Sequence, residues 1–203
     1  MGVSERKRSA SGDDKRERIL RAAVKVFAKK GFYASRVAEI AKAAGVADGT
    51  IYLYFKNKDD VLESLFEDRI GRLLTVLNAE LLKVASPRER LQRMVEVQLG
   101  LLEGQRDLAE VITVNLRQST KLLRQYGSKG FLSYLELMTK VIADGQASGD
   151  FREDVSARVM ARALFGALDG LALTWALGDA RAGGLDKAAI QLAAVLLDGL
   201  VKR

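Results

Sequence analysis

The sequence predicts an all-α protein of about nine helices, and three observations carry that prediction. The chain holds one Pro and no Cys in 203 residues, so helix breakers and disulfide staples are nearly absent. Apolar residues recur at spacings of three and four in segment after segment. No stretch shows the alternation of a half-buried strand, and no internal repeat stands out. With 48% apolar residues, a real core can be buried.

The elements follow in order. Residues 1–12 read as a disordered basic tail, with Ser9, Ser11 and Gly12 and little apolar content. Ile19, Ala23, Val26 and Phe27 then share one helical face. Gly31 suits its stop, after Lys29 and Lys30 at the negative end of the dipole. Ser35 reads as the N-cap of a second short helix with Val37, Ile40, Ala41 and Ala44 inward, ended by Gly45. A third short helix is expected over Asp48 to Phe55, with Ile51 and Phe55 in the core and Tyr52 and Tyr54 outward. Asn57 can cap a much longer fourth helix, with Asp59 and Asp60 in its first turn. Its apolar face runs through Leu62, Leu65, Phe66, Ile70, Leu73, Leu77 and Leu81. Ser86-Pro87-Arg88-Glu89 is a capping box with Pro at the first helical position, which marks a helix start. Further helices are expected at about 87–104, 107–120, 122–147, 155–178 and 186–202. The domain reading is a tail at 1–12, a three-helix unit at 13–57 and a larger helical domain at 58–203.

Composition narrows the function. The chain has no His and no Cys. That removes Ser-His-Asp triads, Cys nucleophiles and thiolate zinc sites, so neither an enzyme nor a metal site is expected. It also fits a reducing cytoplasm. The near-apolar run from Ala163 to Leu177 contains Asp169 and falls short of the ~20 residues of a membrane span; a buried helix is the better reading, and no membrane partner is expected. Residues 1–60 hold 14 Lys and Arg against 8 Asp and Glu, a balance of +6 out of a total of +7. A basic segment on a near-neutral body points to a polyanion reached through that segment.

Residues 35–55 carry the most specific signal. Two short helices around a Gly turn, with the small residues Ala41, Ala44 and Gly45 at their crossing, form a helix-turn-helix with the first helix. In such units the second helix enters the major groove of DNA. Tyr52 and Tyr54, followed by Lys56 and Lys58, suit phosphate contacts, and Gly49 lets the helix start approach the duplex. The run IAKAAGVADGTIYLYFKNKDDVLESLF resembles the DNA-binding signature of the TetR family of repressors, in detail over about residues 16–66. The resemblance implies DNA contacts, mainly to the backbone, from Thr50, Tyr52, Tyr54 and Lys58. It also implies that Ser35 caps the second helix and touches phosphate. Ala38 stands where many members carry a base-reading Arg, so base readout shifts to Arg36, Ala47, Asp48 and Gly49. Tyr33 completes the expected DNA face. Asp48 can accept from a cytosine amino group or simply favour the helix dipole.

The second half is similar to the fatty-acid-metabolism repressors of that family, through GVADGTIYLYFKNK, NLRQS at 115–119 and FGALDGLALTWALGD at 165–179. That resemblance implies a long-chain acyl-CoA effector that releases DNA, and no cofactor. The candidate effector residues are Gln98, Leu102, Val111, Asn115, Arg117, Gln118, Lys121, Arg124, Tyr134, Met138 and Trp175; Arg117, Lys121 and Arg124 could meet CoA phosphates. The last two helices are apolar over most of their circumference and need a partner. A two-fold homodimer is expected there through Leu164, Gly166, Ala167, Gly170, Leu192 and Leu196. Two other readings remain open: a regulator answering to a different hydrophobic molecule, and a helical lipid carrier.

Overall fold

A computed structural model describes residues 2–115, 129–178 and 184–200, with residues 2–12 given by backbone alone. Among the described residues there are nine α-helices and no strand. The order is α1 (Gly2–Lys30), α2 (Val37–Ala44), α3 (Asp48–Ile51), α4 (Lys58–Leu81), α5 (Pro87–Gly100), α6 (Arg106–Glu110), α7 (Lys129–Ala147), α8 (Ala157–Leu177) and α9 (Leu185–Leu200).

Helix α1 begins at Gly2, where the sequence reading has a disordered tail through residue 12. Once a helix is nucleated, each added residue needs only propagation, and no Pro blocks it there. Ile19, Leu20, Ala23 and Phe27 are its fully buried face. Gly31 stops it at φ 75°, in the left-handed region that favours glycine. Gly45 does the same for α2 at φ 64°, with Val46 N–H returning to the Ala41 carbonyl at 3.0 Å. The Arg18 guanidinium donates to the last α2 carbonyl, Ala44, at 3.1 Å, which locks α2 onto α1.

Helix α3 is shorter than expected. It ends at Ile51, and the chain continues in tight turns in which Leu53 donates to Thr50 and Tyr54 to Ile51. Helix α4, about 36 Å long at 1.5 Å per residue, starts where expected: Asn57 Oδ1 accepts from Asp60 N at 2.9 Å. Glu17 of α1 pairs with Arg69 and Arg72 of α4, and Asp68 pairs with Arg72 at 2.9 Å. The capping box at α5 forms as read, with the Ser86 hydroxyl accepting from Glu89 N and the Glu89 carboxylate from Ser86 N, both at 3.2 Å.

Helix α5 is the axis of the larger domain and packs on α4, α7, α8 and α9. The helix expected at 107–120 is α-helical only to Glu110; residues Val111–Asn115 wind as a π turn packed against α1 and α8. The turn between α5 and α6 grips both ends of the break between α8 and α9. The Arg106 guanidinium donates to the carbonyls of Ala176 at 3.0 Å, Trp175 at 2.9 Å and Gly178, and lies 5.7 Å from the Trp175 ring centroid. Glu103 accepts from Leu185 N, the first amide of α9, at 2.7 Å. A cation thus sits at a helix C-terminus and a carboxylate at a helix N-terminus, each matched to its dipole. By length and composition α8 is apolar and long enough to cross a bilayer, longer than the near-apolar run in the sequence suggests. Its inner face, Met160, Ala161, Leu164, Leu168 and Ala172, is buried in the protomer.

Candidate nucleic-acid interface and effector site

One surface of the three-helix unit presents Tyr33 (68% exposed), Arg36, Ala47, Asp48, Gly49, Tyr52 (60%) and Lys56 to solvent, with Thr50 partly exposed. Ile51 and Phe55 are 1% exposed and hold that surface from beneath. Ala47 occupies the N-cap of α3 with extended backbone and offers no side-chain acceptor to the α3 amides. Asp48 lies in the first turn, in place to favour the dipole.

Three expected contacts are corrected. Ser35 is not the cap of α2: it is 3% exposed, and its hydroxyl donates to the Gly31 carbonyl at 2.6 Å. Arg36 stands at the N-cap instead, its backbone N–H donating to Glu39 Oε2 at 3.0 Å. Lys30 also donates to Glu39, and the two bonds, the Lys30 one foremost, hold the Glu39 carboxyl below its ordinary value. Tyr54 is half-buried rather than outward, with its ring centroid 6.4 Å from that of Phe55. The tight turns explain this, because at three residues per turn Tyr54 eclipses Ile51. Lys58 does not point its ammonium at solvent. It donates to the carbonyls of Phe32 (2.6 Å), Tyr33 (3.0 Å) and Ser35 (2.9 Å) and lies 4.6 Å from the Phe32 ring centroid.

Leu53, 80% exposed between the tyrosines, is an outward residue the sequence reading missed. Its signal was available: two residues on from Ile51 is about 200° round a helix, opposite the core face. An apolar side chain there suits a thymine methyl.

The effector candidates divide by position. Val111 and Met138 are fully buried, Leu102 nearly so. Tyr134, 1% exposed, donates its hydroxyl to Gln98 Oε1, so α7 and α5 share a buried polar pair. Burial drives the Tyr134 phenol well above its ordinary value, against the Gln98 bond and with help from the Asp169 charge. It therefore stays a neutral donor. Around it stand Phe131, Phe165 and Phe66, with centroid distances of 6.3 Å (Phe131–Tyr134), 5.1 Å (Phe131–Phe165), 6.2 Å (Tyr134–Phe165) and 6.3 Å (Phe66–Phe131). Phe66 belongs to α4, the helix that leaves the DNA-facing unit. Trp175 sits apart, under Arg106. Asn115 is 1% exposed at the end of the π turn, and its Oδ1 approaches Gly31 at the end of α1 rather than the aromatic cluster. Arg117, Gln118, Lys121 and Arg124 lie outside the described residues.

The outer faces of α8 and α9 are apolar. Val159, Ala163 and Gly166 are exposed along α8, Gly170 and Ala167 partly so, and Leu177 closes the stripe at 62%. Ile190 and Val195 do the same on α9, at 61% and 70%. Leu164, expected at an interface, is instead 2% exposed inside the protomer, on the face opposite this stripe. Leu192 and Leu196 are half-buried and pack on the core.

Comparisons with known proteins fit this geometry. The family profile described as bacterial regulatory proteins, tetR family, matches residues 19–65, and that described as YsiA-like protein, C-terminal region, matches residues 66–199. The chain belongs to the TetR family. It is therefore a DNA-binding transcriptional regulator, and the helix-turn-helix is its DNA-binding unit. It is 38% identical to the fatty acid metabolism regulator protein of Bacillus subtilis over 161 residues, 79% of this chain and 83% of that one. Among solved structures it resembles the fatty acid degradation regulator FadR of Bacillus halodurans (TM-score 0.84, 34% identity, 91% of this chain and 98% of that one). It resembles FadR of Bacillus subtilis in complex with stearoyl-CoA equally (TM-score 0.84, 36% identity, 90% and 98%).

Proposed function

We propose that this TetR-family protein is a cytoplasmic homodimeric repressor that holds a palindromic operator, releases it on binding long-chain acyl-CoA, and so controls fatty-acid degradation genes. The observation that carries the effector reading is the aromatic cluster of Phe66, Phe131, Tyr134 and Phe165, built where α4, α7 and α8 meet around one buried polar pair. Apolar walls with a few polar groups are the usual setting of a small-molecule site. An acyl chain entering among these rings displaces Phe66, and with it the helix that carries the DNA-binding unit. The likeness to the FadR structure with stearoyl-CoA supports the choice of ligand class.

Each buried methylene contributes about 0.8 kcal/mol, so affinity should climb steeply with chain length until the site is full. Effector binding lowers operator affinity only if the effector prefers the form that does not fit DNA, and operator must then weaken effector binding by the same factor. The dimer reading rests on the apolar outer stripe of α8 and α9, which a two-fold copy would cover. The test is a titration of acyl-CoAs, from roughly four to roughly eighteen carbons, into protein on labelled operator. Release should grow with chain length and be weaker with free fatty acid. No release by any length, or equal release by free CoA, would overturn the effector reading.

A further inference from the structure

We propose that Lys58 is a positioning residue for DNA binding: it locks the α1–α2 turn onto the start of α4 and so presents Tyr33 and Arg36, rather than donating to a phosphate itself. The inference rests on the DNA-binding reading above and departs from the contact the sequence suggests.

Four observations converge. The ammonium has three N–H donors and no acceptor. Three backbone carbonyls, those of Phe32, Tyr33 and Ser35, receive hydrogen bonds from it at 2.6, 3.0 and 2.9 Å. Those donors are thereby all occupied within the protein. The charge lies 4.6 Å from the Phe32 ring centroid, and that ring is 3% exposed and packed on Phe27. Finally, Lys58 is the first residue of α4, where a cation opposes the helix dipole. A cation held there needs compensation, and the carbonyl cage supplies it.

The cage also joins separate pieces of the interface. Phe32 to Ser35 is the turn that carries exposed Tyr33 and leads directly to exposed Arg36. The other side of the same junction is tied by Asp60, whose carboxylate accepts from Lys56 N at 2.7 Å while its amide donates to Asn57. The end of the α3 turns, the start of α4 and the α1–α2 turn therefore move as one body. A displacement of α4 carries the whole DNA face instead of bending it.

Arginine separates the two roles. It is a strong phosphate donor, but its flat fork cannot point three donors at three carbonyls as a tetrahedral ammonium does. We expect Lys58→Arg and Lys58→Met each to lower operator affinity by about tenfold or more, and each to lower the thermal midpoint of the DNA-free protein. Lys56→Met, an outward lysine, should leave that midpoint unchanged. In wild-type protein the side-chain ammonium resonance of Lys58 should be protected from exchange with water, and should keep its position when operator is added. Lys58→Arg binding operator within twofold of wild type would overturn the proposal. So would an ammonium resonance that exchanges freely or shifts markedly on operator. If wild-type protein binds no duplex, the DNA-binding reading fails instead, while the DNA-free midpoint and the ammonium resonance still decide the cage.

Discussion

Removing Arg106 tests how the two ends of the break between α8 and α9 are held. Arg106→Met keeps much of the aliphatic stem and deletes the guanidinium that bonds the carbonyls of Trp175, Ala176 and Gly178. A hydrogen bond to a charged group is worth roughly 1.5–3 kcal/mol, a cation in the last turn of a helix roughly 0.3–1, and a partly exposed cation–π contact roughly 0.5–1. These do not add, because the freed carbonyls stand at a helix end and recover water. A net loss of about 2 kcal/mol is the reasonable expectation. For a chain of this size, that lowers the thermal midpoint by about 4–8 °C, measured at one fixed protein concentration because a dimer's midpoint depends on it. Glu103→Gln keeps an acceptor for Leu185 N and should cost less than half as much. Fraying of the α8 end, where Leu177 is 62% exposed on the outer stripe, should also raise the dimer dissociation constant in sedimentation. A midpoint for Arg106→Met within about 1 °C of wild type would refute the reasoning, since three bonds and a ring contact would then be contributing nothing.

Tyr52→Ala should weaken operator binding without moving the midpoint of the free protein, whereas Tyr54→Ala should lower both, because only Tyr54 is packed against the core; anisotropy and calorimetry on the pair separate the two. A Cβ at Gly166 or Gly170 meets nothing within 4 Å in the protomer, so Gly166→Leu should fold normally yet overpack a two-fold contact by roughly 1–3 kcal/mol, seen as monomer in sedimentation. With no His in the chain, operator affinity should be flat between about pH 6 and pH 8. Glu39 has its folded value depressed by Lys30 and the Arg36 amide, so its favourable contribution is complete above the ordinary carboxylate value and is lost as pH falls through the depressed one. Acid should therefore loosen the α1–α2 junction in hydrogen exchange, and loosening on raising the pH would contradict it.

Much of this fold was legible because its signals are local. The Ser86–Glu89 box, the Asn57 cap and the Gly31 and Gly45 stops each act within one turn of chain, and each is in place. What was not legible depends on distant partners. Ser35 looks like a cap until Gly31 takes its hydroxyl. Lys58 looks like a phosphate ligand until a turn some 25 residues earlier supplies three carbonyls. Leu164 and the apolar stripe of α8 share one helix, and only the packing of α8 on α5, α6 and α7 decides which face is inward. The buried Tyr134–Gln98 pair joins α7 to α5 across 36 positions, beyond any periodicity in the sequence.

The π turn at Val111–Asn115 bears on how relatives of unequal length should be aligned. A π turn is an α-helix carrying one surplus residue. Deleting a single residue within 111–115 would restore the ordinary ladder. It would also rotate whatever follows by about 100° relative to what precedes. Leu108 and Ala109, buried before the turn, and Asn115, buried after it, could not then all keep their seats. A one-residue gap in this stretch of an alignment therefore marks a different contact with the end of α1, and a one-residue insertion elsewhere in α6 is not its equivalent.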